Sequence, residues 1–311
     1  MTFTQLEYIL AVDQFRHFAK AASNCYVTQP TLSMQIQKLE EELGIIVFDR
    51  SKQPVVPTAA GLDILCHARE LIAKRDILLQ SIQDTKGEVS GVLRVGIIPT
   101  LAPYLLPLFI KSFSLKYPRV RLVIHELMTD LIISGLRESK LDAGILVTPL
   151  QENRITEIVL FYEELLVYVS KNNSAFKKNY IMPQDIDPNR LWLLEEGHCF
   201  RSQIVNLCEL RKKSRDEGNF DYEAGSIETL RKMVETNEGI TILPELATLD
   251  LSKRQQTFLR YFKKPAPMRE VSLVVHRNYV KKNMIEALRE EILLAVPDKL
   301  RKNKTANIIP V

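Results

Sequence analysis

The apolar positions change their period along the chain, and the change divides it. In the first stretch Leu6, Ile9, Leu10 and Phe15 recur at helical spacing, and Phe18, Ala19, Ala21 and Ala22 follow as a small-residue helix that a neighbour can approach closely. A third helix starts at once. Thr28 suits its N-cap, Pro30 fits its first turn, and Leu32, Ile36, Leu39 and Leu43 share one face. The opposite face carries Pro30, Met34 and Gln37, flanked by Gln29, Ser33 and Lys38. Short polar side chains at the front of such a helix fit a helix-turn-helix that reads base edges in the major groove. They fit an ordinary three-helix bundle with a solvated face equally well.

From Thr58 to about Lys86 the pattern predicts one long helix. Ile64, Leu71 and Leu78 repeat every seven residues, and Ala68 and Ile82 sit four residues after the first and third of these, a seam interrupted by Arg75. A helix this long and apolar is expected to pair with a second copy. Gly87 and Gly91 mark a hinge. Beyond it, short apolar runs alternate with amphipathic ones: strands near 92–98, 120–125, 142–146, 165–169, 191–194, 239–243 and 271–275, helices near 103–116, 130–139, 200–213, 226–237 and 279–295. That alternation predicts parallel sheets covered on both faces. Pro99-Thr100, Met128-Thr129 and Gly197-His198-Cys199 each follow a strand. Ligands in open α/β sheets bind where helix N-termini converge at strand ends, so these loops are expected to line one cleft.

Composition narrows the class. The 311 residues, 46% hydrophobic and 26% charged, are enough for two or three globular domains. No apolar run approaches a membrane span, and the first residues lack the basic and apolar regions of a secretion signal, so the expected location is cytoplasmic. The net charge of +4 does not localise to the N-terminal segment. Residues 1–58 set Arg16, Lys20, Lys38, Arg50 and Lys52 against Glu7, Asp13, Glu40, Glu41, Glu42 and Asp49, so charge alone does not argue for DNA binding there.

Four cysteines, Cys25, Cys66, Cys199 and Cys208, are too irregularly spaced for a secreted disulfide framework. On spacing alone each reads as a core residue, cysteine being among the most buried types. Cys199 and Cys208 have a further property. If the stretch between them is helical, their Cα atoms are separated by roughly 13 Å of rise, whereas a disulfide needs Cα atoms within roughly 7 Å. The segment is therefore either an intact helix or a bonded pair, which is the form of a redox switch.

The string Ala21-Ala22 through Val27-Thr28-Gln29-Pro30-Thr31-Leu32-Ser33-Met34-Gln35-Ile36, with Leu39-Glu40, Leu43-Gly44, Phe48-Asp49-Arg50 and Thr58-Ala59-Ala60-Gly61, resembles the winged helix-turn-helix of LysR-type transcriptional regulators. The resemblance implies an N-terminal all-α winged helix-turn-helix over residues 1–58. Its recognition helix would hold Thr28 to Lys38, with Gln29, Pro30, Ser33, Met34 and Gln37 meeting bases beside Thr31 and Lys38. Ser51 to Pro57 would form the wing, with Arg50 and Lys52 near phosphates. A linker and dimerisation helix with its hinge would occupy 59–90. The remainder resembles the family's α/β, periplasmic-binding-protein-like two-lobed regulatory domain, over 91–296, with lobe I from 91–163 and 267–296 and lobe II from 164–266. The missing secretion signal weighs against a true solute-binding protein.

A narrower likeness, to the family's peroxide-sensing branch, rests on Val95-Gly96-Ile97-Ile98-Pro99-Thr100, Pro103-Tyr104-Leu105-Leu106-Pro107, Leu194-Glu195-Glu196-Gly197-His198-Cys199 with Cys208, Glu228-Thr229-Leu230-Arg231 and Ile240-Thr241-Ile242-Leu243-Pro244. It implies that Cys199 attacks hydrogen peroxide and Cys208 resolves the product. Thr100, Thr129, His198 and Arg269 would bind peroxide or support the thiolate, and Arg201 flanks the site. The implied partners are an operator in double-stranded DNA, a homodimer or homotetramer, RNA polymerase and a resetting thiol reductant, with no cofactor and no membrane.

Other readings remain open at this stage. A LysR-type regulator that answers to a small metabolite would bind a carboxylate at the Thr100 loop and keep its cysteines in the core. A thiol peroxidase would turn peroxide over with the same cysteines. A metal site from His198, Cys199 and Cys208 offers only three ligands, poor for structural zinc. No catalytic carboxylate pair, Gly-rich phosphate loop or Ser-His-Asp motif stands out. Thr100 and Thr129 also suit helix capping. Asn237 replaces a glycine usual before the Gly-Ile-Thr strand and is expected to tolerate a left-handed backbone. The basic tail 297–311 is expected to be disordered.

Overall fold

The computed structural model describes residues 1–84, 89–150, 152–208, 224–277, 279–302 and 307–310. The chain divides into two compact units, residues 1–88 with 138–140, and residues 89–137 with 141–311.

The first unit begins with α1 (Phe3–Phe15), α2 (Phe18–Asn24) and α3 (Gln29–Leu43). Thr2 caps α1 in a reciprocal box with Gln5, and the Thr28 hydroxyl accepts from the Thr31 amide at the start of α3. Leu32, Ile36 and Leu39 are fully buried against α1 and α2. The wing is a two-stranded antiparallel pair, β1 (Phe48–Asp49) and β2 (Val56–Pro57), so its first strand precedes the expected Ser51 start. The linker helix α4 runs Ala59–Asp84. Its expected end at Lys86 and the hinge residue Gly87 lie outside the described residues, as does the side chain of Ile82.

The seam splits. Leu65 and Ala68 are buried in the N-terminal core, with Ile64 and Ile72 packed beside them, whereas Leu62, Leu71, Leu78 and Leu79 are exposed. Arg75, which interrupts the heptads, reaches α1: it bonds Glu7 at 2.7 Å and lies over the Phe3 ring. The α1 helix therefore claims the first turns of α4, and the exposed leucines are what it leaves.

The second unit comprises β3 (Gly91–Ile97), α5 (Ala102–Lys116), β4 (Val120–Glu126), α6 (Thr129–Arg137), β5 (Ala143–Thr148), β6 (Ile155–Val169), β7 (Tyr180–Ile181), α7 (Cys199–Leu207), α8 (Ile227–Thr236), β8 (Ile240–Pro244), α9 (Lys253–Gln256), β9 (Leu259–Phe262), β10 (Met268–His276), α10 (Lys282–Ala295) and α11 (Asp298–Lys302). The strands order as β4-β3-β5-β10-β6-β9-β7, with β8 also on β6. The wholly parallel expectation is corrected. Parallel pairing joins β3 to β4 and β5, but β10 runs antiparallel to both β5 and β6, and β6 antiparallel to β8 and β9. In particular β6, one strand of 15 residues, begins well before the expected 165 and pairs with β10 along its first part and with β8 and β9 along its last. Residues 191–194 form only isolated bridges, from Leu191 to Ile240 and Leu194 to Ala224.

Two further expectations change. Asn237 is extended, with φ −121°; the left-handed position falls on Gly239, at φ 148°, where a Cβ would meet the Trp192 indole at 2.3 Å. The tail is ordered where it is described. Residue 308 bridges Met268, the Met268 amide donates to the Asn307 carbonyl and the Ile309 amide to Met268, and Ile309 is buried. Met268 and Ile309 give the basic segment an apolar anchor that net charge concealed. Lys304 lies outside the described residues.

Candidate functional site

Because β3 and β4 are parallel neighbours, the turn that follows each opens on the same edge of the sheet. Thr100 lies in the first turn and Thr129 opens α6 after the second. The Gly197-His198 loop, with Gly197 at φ 96°, leads into α7, where Cys199 is the first helical residue. Ile98, Pro99, Thr100, Met128, Thr129, Gly197, His198 and Cys199 line one cleft.

Neither threonine caps a helix. Leu101, not Thr100, stands at the N-cap of α5, and the Thr100 hydroxyl accepts from Arg269 Nη1 at 3.1 Å. Thr129 Oγ1 is buried beside the Cys199 thiol. Arg269, on β10 and fully buried, also donates from Nη2 to the Thr100 carbonyl at 3.3 Å and lies 5.2 Å from the centre of the Phe200 ring.

Opposing influences act on the Cys199 thiol. Burial raises its pKa above the ordinary thiol value and outweighs the rest; the Thr129 hydroxyl, the Arg269 charge and the first amides of α7 pull it down. His198 is buried, and burial lowers its pKa, so at neutral pH it is an uncharged imidazole rather than a cation beside the thiolate. Its Nε2 is 3.8 Å from Glu195 Oε1. Arg201 Nη1 donates to the Leu194 carbonyl at 2.6 Å. Arg269 is thus the cation that acts on Cys199.

Cys208 is the C-cap of α7, its amide donating to the Ile204 carbonyl at 3.0 Å, and burial pushes its thiol up to about 11. All four cysteines are free thiols. The helix between Cys199 and Cys208 is intact, which at 1.5 Å per residue holds the pair roughly 13 Å apart along its axis. The expected continuation to 213 falls outside the described residues from 209. Cys25 packs against the N-terminal core and Cys66 is exposed on α4. Among the described residues no cluster of His, Cys, Asp or Glu could hold a metal, and no helix is long and apolar enough to cross a membrane.

On α3, Gln29, Pro30, Met34, Gln37 and Lys38 are exposed, and Thr31 and Ser33 partly so. Arg50 is exposed but engaged: it bonds Ser33 Oγ at 3.2 Å and Glu40 Oε2 at 2.8 Å, and lies over the Phe18 ring. Lys52 is exposed, 3.9 Å from Asp49.

Residues 3–62 match the model for the bacterial regulatory helix-turn-helix protein, lysR family, and residues 86–296 match that for the LysR substrate binding domain. The chain belongs to the LysR family. Among LysR proteins it is similar to a hydrogen peroxide-inducible genes activator of Haemophilus influenzae, at 32% identity over 94% of this chain and 96% of that one. It is also 34% identical to the DNA-binding transcriptional dual regulator OxyR of Escherichia coli, over 94% and 95%. Full-length OxyR of Pseudomonas aeruginosa, bearing a cysteine-to-aspartate substitution, has a similar structure: TM-score 0.78, 32% identity, 95% of this chain and 99% of that one. A peroxide-bound mutant of Corynebacterium glutamicum OxyR gives 0.61 at 26% identity, over 94% and 92%. These likenesses place this LysR chain in the OxyR branch.

Sequence reasoning missed one residue of this LysR site. Glu163 is fully buried and binds Arg269 Nε at 2.7 Å; the Glu163-Glu164 pair of charges inside the apolar run Leu160 to Val169 was its signal. Glu228 accepts from the Tyr104 hydroxyl at 2.8 Å and pairs with Arg231.

Proposed function

We propose that this protein is a DNA-binding transcriptional regulator that senses hydrogen peroxide through reversible Cys199–Cys208 disulfide formation. The observation that carries the reading is Cys199 at the first turn of α7, in a cleft with the Thr100 and Thr129 hydroxyls, while Cys208 ends the same helix.

The chemistry follows from that placement. The Cys199 thiolate attacks one peroxide oxygen, the O–O bond breaks, and the other oxygen leaves as hydroxide, released to solvent. Thr100 and Thr129 donate to the peroxide oxygens. Cys208 then attacks the Cys199 sulfenic acid, releasing water and leaving a disulfide, which a thiol reductant resets. Closing the bond requires α7 to unwind, which displaces Phe200 and Ile204 from the core. The same chain carries the lysR helix-turn-helix, so the protein acts as a sensor in the cytoplasm rather than as a peroxidase.

The exposed α4 leucines suit pairing with a second copy, and the exposed face of α3 suits an operator, with Gln29, Pro30, Thr31, Ser33, Met34, Gln37 and Lys38 toward bases and Lys52 toward phosphate. A homodimer or homotetramer would then present paired readers to DNA and to RNA polymerase.

The test is thiol trapping after peroxide treatment, with disulfide mapping by mass spectrometry and footprinting of the same samples. A Cys199–Cys208 bond that appears with an altered footprint supports the reading. Alkylatable Cys199 and Cys208 beside an altered footprint would rule out the disulfide.

A further inference from the structure

Glu163 is the one fully buried carboxylate that the mechanism above leaves unused among the described residues. Its Oε1 accepts from Arg269 Nε at 2.7 Å and its Oε2 from the Leu246 amide at 2.8 Å. Both oxygens are held, one by a side chain and one by the main chain, so the carboxylate is a fixed point. Burial pushes its pKa up while Arg269 and the Leu246 amide oppose the rise. The other charged group beside it, Glu245, is itself bound by Lys299. Stability does not explain the pair, since two buried charges replaced by apolar residues of similar volume often leave a fold as stable or more so.

Direction of donation gives the pair a use. A guanidinium has no acceptor, and a threonine hydroxyl has one proton and two lone pairs. In the bond from Arg269 Nη1 to Thr100 Oγ1 the hydroxyl must accept. Its own proton is then left to point into the cleft that Thr100 shares with Cys199.

We propose that Glu163 is a positioning residue for peroxide reduction: it fixes Arg269 so that Arg269 occupies a lone pair of Thr100 and turns the Thr100 O–H toward the leaving oxygen. The proposal rests on the reading of Cys199 as the thiol that attacks peroxide. In that step an S–O bond forms, the O–O bond breaks and its electron pair goes to the distal oxygen. Thr100 stabilises that developing hydroxide by a hydrogen bond, without giving up its proton. Glu163 also offsets the Arg269 charge felt by Cys199, so removing it acts on two electrophiles differently. Peroxide needs the aimed hydroxyl; iodoacetamide needs only a thiolate.

The experiment uses the full-length protein with Cys208→Ser, so that the reaction stops at the sulfenic acid. It compares the rate of Cys199 with hydrogen peroxide and the pH midpoint of Cys199 alkylation by iodoacetamide. Glu163→Gln is expected to slow peroxide on the order of a hundredfold, the loss that attends one misplaced oxyanion donor, while the alkylation midpoint stays or moves to lower pH. Glu163→Asp, which keeps the charge, is expected to lose less and serves if the Gln variant fails to fold. Its effect should largely vanish in a Thr100→Val background. Parallel loss with both electrophiles, no loss with either, or effects of Glu163→Asp and Thr100→Val that simply add would overturn the proposal. Should Cys199 with Glu163 intact fail to react with peroxide, the proposal falls with the reading of Cys199, a failure visible before any Glu163 variant is made.

Discussion

Gln203 Nε2 donates to the Ile309 carbonyl at 2.9 Å, tying the middle of α7 to the C-terminal segment that lies along Met268. Gln203 is fully buried and Ile309 nearly so, so the bond fixes the helix that must unwind for Cys199 to reach Cys208.

Removal of residues 307–311 strips Gln203 of a buried partner, at a cost of about 1–3 kcal/mol, and exposes the groove that Ile309 fills. Urea unfolding is expected to show a loss of that order. Because the contact exists only while α7 is intact, its loss also favours the unwound state. Disulfide formation at limiting peroxide should therefore be faster in the truncated protein; an unchanged rate would mean the tail does not restrain α7.

The cysteines divide by environment. Cys199→Ser is expected to abolish the peroxide response, and Cys208→Ser to halt at a sulfenic acid that dimedone traps. Cys25→Ser and Cys66→Ser should respond as the parent does, since one thiol sits against the N-terminal core and the other on the surface of α4. Reporter transcription with and without peroxide separates these outcomes.

The pH behaviour has a definite sign. With the Cys199 pKa raised, its thiolate fraction grows about tenfold per pH unit below that value, so the peroxide rate should climb steadily from pH 6 to 8. For stability, the folded-state pKa of His198 is lowered. Below its unfolded value of about 6.5 the unfolded chain takes up a proton that the folded chain resists, so stability is lost as the pH falls through that point. His198→Asn, which cannot titrate, is expected to lose less between pH 7.5 and 5.5 in urea titrations.

Leu71 and Leu78 are exposed on α4 in the single chain. Their replacement by Asp should cost the folded monomer little and disrupt its association. Sedimentation is expected to show a shift to monomer with helical circular dichroism retained; an unchanged oligomer would place the interface elsewhere.

What the sequence made legible was local. Caps and apolar stripes located α1 to α3, and strand-following loops located Thr100, Thr129 and Cys199. Pairing direction was not legible, because a strand buried on both faces has the same apolar run whether its neighbours are parallel or antiparallel; β10 and β6 were misjudged for that reason. Nor was the Glu163–Arg269 pair, whose members lie 106 positions apart and meet only through the β6–β10 register. The tail misled because its lysines and arginines outnumber the few apolar residues that dock it.

At the wing, two basic residues that look alike in sequence should behave differently. Arg50 spends its guanidinium on Ser33 and Glu40 and lies over Phe18, and Glu40 in turn accepts from the Val47 and Phe48 amides. Arg50→Met therefore removes one of the contacts that tie the wing to α3, and is expected to lower the unfolding midpoint. Lys52 is exposed and lies 3.9 Å from Asp49. Lys52→Ala should leave stability alone, weaken binding to all sequences alike and reduce the salt slope of affinity by about one unit. Gln29→Ala, on the exposed front of α3, should instead change base preference with the slope intact. Salt-titrated binding to operator and random duplexes distinguishes the three, and a lowered slope for Gln29→Ala would assign it to phosphate rather than base.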